Sequence, residues 1–363
     1  MNDPKIFKLG KKMTFSLTVD IKRARSLIDG RLQSLISLIF DLKMMNTQMK
    51  EIGYDAKKMP LGKIAKSTIQ QGYAVLNQLM NAFQNKEDKS TFQTLSSQFY
   101  SLIPHDFGFQ KMSNFILDTE EKVKTKLDML QSLSDIQIAT KLLSEAVSPD
   151  ENLIDSNYRK LNCKIKPIDR SGKDYTLIQN FISNTAGNWK VKMNDIFEVE
   201  RPKEAEQFVD YGNKMLLWHG SRLTNFVGIL SQGLRIAPPE APASGYRFGK
   251  GVYFADMIDK SAQYCRASGG QESLALLCEV SCGVFNEKTG SDFNASNLPK
   301  GKHSTLGLGQ GPSKNTWVKW NKDVNVPVGD KSTIKNCGWN HNEYIVYDVK
   351  QVQIRFLVRM NID

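Results

Sequence analysis

The feature that most limits how this chain can fold is a change in hydrophobic period near residue 148. Ahead of it, apolar residues return at helical spacing: Leu32, Leu35, Ile36, Ile39 and Leu42, then Ile69, Tyr73, Leu76 and Met80, then Phe92, Leu95, Phe99 and Leu102. Val123, Leu127 and Leu130, joined one face over by Leu133, Ile136 and Leu143, mark a long fourth helix. Met59-Pro60-Leu61-Gly62 breaks the pattern after the first stripe, Ser67 is predicted to cap the second helix, and Pro104 stops the third. An apolar stripe must be covered, so residues 22–147 are expected to form a helical bundle. Ser148-Pro149-Asp150-Glu151-Asn152 reads as a linker. Beyond it, short apolar runs predict strands at 163–168, 195–200, 215–218, 251–255, 274–282, 344–348 and 353–360, with helices at 224–230 and 260–267. The expected fold class is an all-α bundle followed by an α+β domain: residues 1–21 as a basic N-terminal arm, 22–147 as the helical domain, and 148–363 as the second domain.

Length and composition agree with two soluble domains. The 363 residues suffice for two cores, and 40% hydrophobic with 24% charged residues is ordinary for globular chains. No apolar run approaches 18 residues, which argues against a membrane partner, and the first 20 residues lack the apolar region of a signal peptide. Five cysteines, Cys163, Cys265, Cys278, Cys282 and Cys337, lack disulfide-framework spacing and point to a reducing compartment. Cys278 and Cys282 lie in one apolar segment with no partner set for zinc, and read as core residues, so no metal site is expected. A net charge of +11 fits an acidic partner or simply a solvated basic surface, and both readings stay open.

Three separated runs carry the chemistry: Leu216-Leu217-Trp218-His219-Gly220-Ser221-Arg222, Gly249-Lys250-Gly251-Val252-Tyr253-Phe254-Ala255, and Asn342-Glu343-Tyr344-Ile345-Val346-Tyr347. In each, one polar residue (His219, Tyr253, Glu343) sits in or beside a stretch that reads as a buried strand, so a sheet can gather all three over one pocket. The set resembles the His-Tyr-Glu site of the poly(ADP-ribose) polymerases, which consume NAD+ and transfer its ADP-ribose. Lys58-Met59-Pro60-Leu61-Gly62-Lys63 and Phe99-Tyr100-Ser101-Leu102-Ile103-Pro104-His105-Asp106-Phe107-Gly108 are similar to the helical regulatory domain of the DNA-dependent members.

That resemblance implies an ADP-ribosyltransferase fold of two packed, mostly antiparallel sheets around an NAD+ cleft. It implies Glu343 as the carboxylate that stabilises positive charge on the ribose and orients the acceptor hydroxyl, with Lys260 as a nearby cation. His219 would bond the adenosine ribose, Gly220 and Ser261 the nicotinamide amide, and Tyr264 would stack on nicotinamide with Tyr253 on the other side. Ser221, Asn225 and Arg235 would line the adenosine and diphosphate end, and Tyr246 would cap it behind Ala237-Pro238-Pro239-Glu240-Ala241-Pro242. Asp135 would correspond to a cleft-facing acid of a helical domain that restricts NAD+ access until activated. NAD+ is then a consumed substrate, with no true cofactor; the partners are protein acceptors, the chain itself included, and DNA through a region outside this chain. The resemblance also implies nuclear residence and a role in the DNA damage response. Arg247 stands where relatives usually carry methionine.

Gly301-Lys302-His303-Ser304 and Gly307-Leu308-Gly309 resemble the loop bordering the acceptor site. Trp317, Trp320 and Trp339 with nearby lysines read as anchors of an insertion, with a nucleic-acid surface as the alternative. No dinucleotide-binding or P-loop pattern is present, consistent with NAD+ as a reactant. Upstream DNA-binding modules are not visible, and the chain ends short of the Leu-Trp terminus that meets an accessory factor, so that partnership is not expected. Mono-ADP-ribosyl transfer and a catalytically silent scaffold remain rivals to polymer synthesis.

Overall fold

The computed structural model describes residues 24–267, 269–329 and 339–363. The predicted basic arm 1–21 and Cys337 lie outside the described residues. Among the described residues the first half holds five α-helices, α1 Gly30–Ile39, α2 Leu42–Glu51, α3 Lys66–Asn85, α4 Lys89–Leu102 and α5 Glu120–Ser144. Their buried faces are the predicted stripes, with Leu35, Ile36, Leu76, Phe99, Leu130 and Ile136 all fully enclosed.

Two local expectations are corrected. The first stripe does not run through one helix: the Asp41 carboxylate accepts from the Lys43 and Met44 amides, capping a new helix that begins at Leu42. Ser67 is not a cap either, since α3 starts a residue earlier and its cap position, Ala65, makes no side-chain bond. Helix α5 gets the cap its sequence suits, with Thr119 accepting from Lys122 N–H and Glu120 and Glu121 in the first turn.

The second half adds α6 Leu153–Lys160, β1 Lys164–Pro167, α7 Lys173–Thr185, β2 Val191–Glu200, α8 Pro202–Gln207, β3 Lys214–Gly220, α9 Phe226–Gln232, β4 Val252–Phe254 and α10 Ile258–Cys265. It ends with β5 Gln271–Ser281, β6 Phe285–Lys288, β7 Ser304–Gly307, β8 Val318–Trp320, β9 Val324–Val326, β10 Glu343–Val346 and β11 Val352–Ile362. Two sheets result, ordered β1-β2-β11-β5-β3-β9-β8 and β4-β10-β7-β6. Among the described residues only the β3–β9 and β6–β7 strand pairings are parallel, together with one isolated bridge between Gly309 and Trp339.

Strand β5 explains the position of the core. Flanked by β3 and β11, it is buried on both faces from Ser273 to Ser281, which includes Cys278; Cys282 follows, also enclosed. Trp320 belongs to this core, with Nε1 donating to Asp174 at 2.9 Å and its ring edge-on to Phe356. The two sheets are stitched by reciprocal bonds between Trp218 and Ala255, at 2.8 and 2.9 Å. That stitch lies one residue from His219 and two from Tyr253, which is what brings two distant motifs together. Among the described residues no helix is long and apolar enough to cross a membrane.

Candidate active site

A cleft of about 440 Å³ opens beside the stitch, walled by β3, β4, the start of β10 and, from the helical half, α5. His219, Gly220, Ser221, Asn225, Arg235, Tyr246, Tyr253, Tyr264 and Glu343 all line it. Of the site residues expected from sequence, Lys260 and Ser261 stand just behind this surface. Ser261 is only 2% exposed, and Lys260 reaches the cleft through Glu343.

Each side chain is held for a reason that can be traced. His219 Nδ1 lies 2.9 Å from the Tyr253 carbonyl. A carbonyl only accepts, so Nδ1 carries the proton and Nε2 is left as an acceptor suited to a sugar hydroxyl. Burial lowers the His219 pKa, with the Tyr253 bond opposing, so the neutral form is the relevant one. The Tyr253 hydroxyl donates to the Gly249 carbonyl at 2.7 Å and accepts from Phe248 N–H at 2.9 Å. Both functions of the hydroxyl are thus used by the loop, leaving the ring as the part offered to the cleft. Gly220 must be glycine, because a Cβ there would stand 1.9 Å from the Ser261 carbonyl oxygen. This close approach of β3 to α10 brings the Gly220 backbone into the wall.

Glu343 opens β10 and is 5% exposed. Its Oε1 accepts from Lys260 at 3.1 Å and from Arg247 at 2.8 Å. The second cation was not expected as a partner, although Arg247 was noted as a departure from the usual residue. Its guanidinium rests 4.0 Å from the ring centre of Trp339, so an aromatic face and a carboxylate hold it together. Burial alone would depress the Lys260 pKa, but Tyr264 and Glu343 raise it above the ordinary lysine value. Lys260 therefore stays charged beside Glu343 at neutral pH. A carboxylate so held, between two cations and facing a half-apolar cleft, is equipped to stabilise positive charge developing on a bound group.

The helical half contributes residues that periodicity did not identify as wall. Lys124, Leu127, Asp128, Gln131 and Asp135 of α5 all face the cleft. Asp135, the acid expected there by resemblance, is 1% exposed, pairs with Arg235, and accepts from Gln131 Nε2 at 2.7 Å. Burial pushes its carboxyl up to about 6 against the pull of Arg235 and Gln131. Asp128 meets Arg266 at 3.1 Å. Lys250 acts as an unexpected brace: its ammonium donates to the carbonyls of Pro238, Pro239 and Ala241 at 3.0–3.2 Å, fastening the proline-rich loop.

The poly(ADP-ribose) polymerase catalytic domain model matches residues 172–362, more than half of the chain, and the poly(ADP-ribose) polymerase regulatory domain model matches residues 26–158. The chain belongs to the poly(ADP-ribose) polymerase family. It is 46% identical to poly [ADP-ribose] polymerase 2-B of Oryza sativa subsp. japonica, an alignment covering 96% of this chain and 60% of that protein. Poly [ADP-ribose] polymerase 2 of Arabidopsis thaliana is 44% identical over 95% of this chain and 56% of its own length. The human protein of that name is 40% identical over 93% of this chain and 60% of its own length. The chain spans 52–60% of the length of the rice, Arabidopsis and maize polymerase 2 relatives with which it aligns. The cleft described above lies within the catalytic match, and α5, which closes one side, lies within the regulatory match.

Proposed function

We propose that this chain is an NAD+ ADP-ribosyltransferase that releases nicotinamide and builds poly(ADP-ribose) on protein acceptors, itself included. The observation carrying the proposal is Glu343, braced by Lys260 and Arg247 on the same cleft as His219 and Tyr253. NAD+ is a consumed substrate in this reading, with its nicotinamide between Tyr253 and Tyr264 and its amide against Gly220 and Ser261. The adenosine ribose bonds His219 Nε2, and the diphosphate end meets Ser221, Asn225 and Arg235 under Tyr246.

The reaction breaks the bond between the ribose C1′ and the nicotinamide nitrogen. Nicotinamide leaves with the electron pair as a neutral molecule, and the ribose takes on oxocarbenium character. A carboxylate 4 Å from that charge contributes about 4 kcal/mol at an effective dielectric near 20. An acceptor hydroxyl oxygen then bonds C1′, and its proton passes to solvent. Glu343 is proposed to serve both partners, holding the donor ribose hydroxyl and orienting the acceptor hydroxyl, which is the requirement for chain growth.

Helix α5 is proposed to limit entry. Asp135 and Asp128 bring carboxylates to arginines that a diphosphate would otherwise claim, so the seated helix competes with NAD+ for the same charges. Release of α5 would free them. By likeness to its family we place the chain in the nucleus, in the DNA damage response, with DNA as an activating partner. One observation favours a second reading, single-unit transfer: Arg247 occupies Glu343 Oε1, an atom an incoming acceptor hydroxyl would use.

Product size after incubation with labelled NAD+, with and without nicked DNA, tests the proposal. A ladder of products supports polymer synthesis, and its dependence on DNA supports activation through α5. A single labelled band would establish mono-transfer, and no label even after removal of residues 1–147 would refute the catalytic reading.

A further inference from the structure

Glu343 is the first residue of β10, at a strand end, where backbone pairing alone would let it fray. Its two neighbours are tied down on the opposite face. Side chains alternate along a strand, so Asn342 and Tyr344 project away from the cleft while Glu343 projects into it. Both reach one carboxylate: Asn342 Nδ2 donates to Asp256 Oδ2 at 2.8 Å, and the Tyr344 hydroxyl donates to the same oxygen at 3.0 Å. Asp256 is fully buried, two residues beyond the end of β4, the strand that pairs with β10. The other end of the Asn342 amide is also used, since its Oδ1 accepts from Gly309 N–H at 2.9 Å.

The same short segment supplies two further ties. Asp259 accepts from His341 at 2.8 Å, and Lys260 bonds Glu343 at 3.1 Å. Four consecutive side chains, His341 to Tyr344, are therefore all bonded to residues between 256 and 260. Asp256 is the central tie, because it alone holds the residues immediately before and after Glu343.

We propose that Asp256 is a positioning residue for Glu343: by gripping Asn342 and Tyr344 from behind the strand, it fixes where the Glu343 carboxylate stands in the cleft. This rests on the role given to Glu343 above. Asp256 touches no cleft surface, so its effect passes entirely through its neighbours. Its loss lets the first turn of chain before β10 loosen, moves the carboxylate relative to the ribose, and slows turnover while leaving the nicotinamide pocket on β3 and α10 intact.

The test compares Asp256→Ala, Asp256→Asn and Tyr344→Phe in the full chain. Tyr344→Phe deletes one of the two bonds and keeps the ring, so it remains informative should Asp256→Ala fold poorly. The readouts are kcat and KM for NAD+, nicotinamide affinity by calorimetry, and amide exchange across 341–346. The expected result is a kcat about 10- to 100-fold lower for Asp256→Ala, of the size that ångström-scale misplacement of a catalytic group produces. Asn, which keeps an acceptor oxygen, recovers most of that loss, and Tyr344→Phe falls between. Nicotinamide affinity stays within twofold, and exchange quickens across 341–346 but not across 214–220. In a Glu343→Gln background, Asp256→Ala changes the residual turnover by less than about twofold, because the two act as one unit. Equal losses in both backgrounds, or unchanged exchange across 341–346, would overturn the proposal. A wild-type chain inert towards NAD+ would sink the functional reading instead, and the exchange comparison would still decide whether Asp256 holds the strand.

Discussion

Replacing Gly228 with alanine should unseat α5 without touching the chemistry of the cleft. Gly228 lies inside α9 where α5 crosses it, and a Cβ there would stand 1.9 Å from Asp135 Oδ1 and 3.2 Å from Asp135 Cβ. The carboxylate has little room to retreat, being 1% exposed and held by Gln131 and Arg235. Overpacking of this kind costs about 1–3 kcal/mol. Helix α9 itself gains up to about 1 kcal/mol from alanine in place of glycine, so the strain falls on the α5–α9 contact and not on the catalytic half. At about 1.4 kcal/mol per tenfold, the balance shifts toward an unseated helix by roughly 5- to 150-fold. If the seated helix excludes NAD+, apparent affinity scales with the open fraction. The KM for NAD+ measured without DNA should therefore fall by a factor in that range, until the open form predominates, with kcat at saturating NAD+ little changed. Initial rates of nicotinamide release across NAD+ concentrations read this directly. An unchanged KM would refute the idea that α5 obstructs the cleft. A raised KM would mean that α5 helps to bind NAD+.

Three further outcomes are expected. Glu343→Gln keeps shape but loses the charge, so long polymer should disappear on a denaturing gel while calorimetric NAD+ binding persists. Arg247→Met frees Glu343 Oε1 from one of its two cations; product chains should lengthen if Arg247 competes with the acceptor hydroxyl, and an unchanged length distribution would remove Arg247 from that role. His105 is buried beside Lys126, at 2.8 Å, and burial lowers its pKa to about 3, with Lys126 adding to the effect. An unfolded histidine binds a proton below about 6.5 while the folded one does not, so this residue costs the protein stability as pH falls below 6.5. Two units below that, at pH 4.5, the linkage amounts to about 3 kcal/mol, so in urea melts the destabilisation caused by His105→Gln should be smaller at pH 4.5 than at pH 7.5 by about that much.

The legible part of this molecule was the part written in local pattern. The stripes through Leu76, Phe99 and Leu130 announce α3, α4 and α5 because a buried helical face imposes its own period. Strands β3, β5 and β11 were visible because their apolar runs exceed what a loop would carry. Strands β6 to β9 were not expected: β8 and β9 have three residues each, and the pattern Lys319-Trp320 or Asn325 between valines is too short to carry a period. Helices α6 to α8 were missed for a related reason, being short or polar on most positions. Among the candidate site residues, the three motif positions stood out by their polar placement beside apolar strands, whereas Arg247 stood out only as a departure from the usual residue, with no sign that it would meet Glu343. Lys250 and Asp256 gave no signal, since what matters about them is which distant carbonyls and amides they meet.

The α5 contribution exposes the same limit more sharply, and explains why it matters. Asp135 and Arg235 are a hundred positions apart, as their pairing joins two matched domains, and Asp128 and Arg266 are further apart still. Helix α5 carries buried apolar residues on more than one face, with acids among its polar residues, and its core is shared between the bundle and α9. The acids on its second face find their partners, Arg235 and Arg266, in the other half. On the proposed function, those arginines have one arrangement that suits two occupants: the carboxylates of a helix, or the phosphates of a dinucleotide. A pair such as Asp135–Arg235 adds little net stability once desolvation is counted, and burial indeed leaves the Asp135 carboxyl above its ordinary range. On the proposed function, a diphosphate that takes Arg235 leaves Asp135 as an unpaired buried carboxylate, a cost that falls on the seated helix and favours its release. On that reading, regulation of the cleft turns on whether the acids of α5 or a diphosphate hold those two arginines.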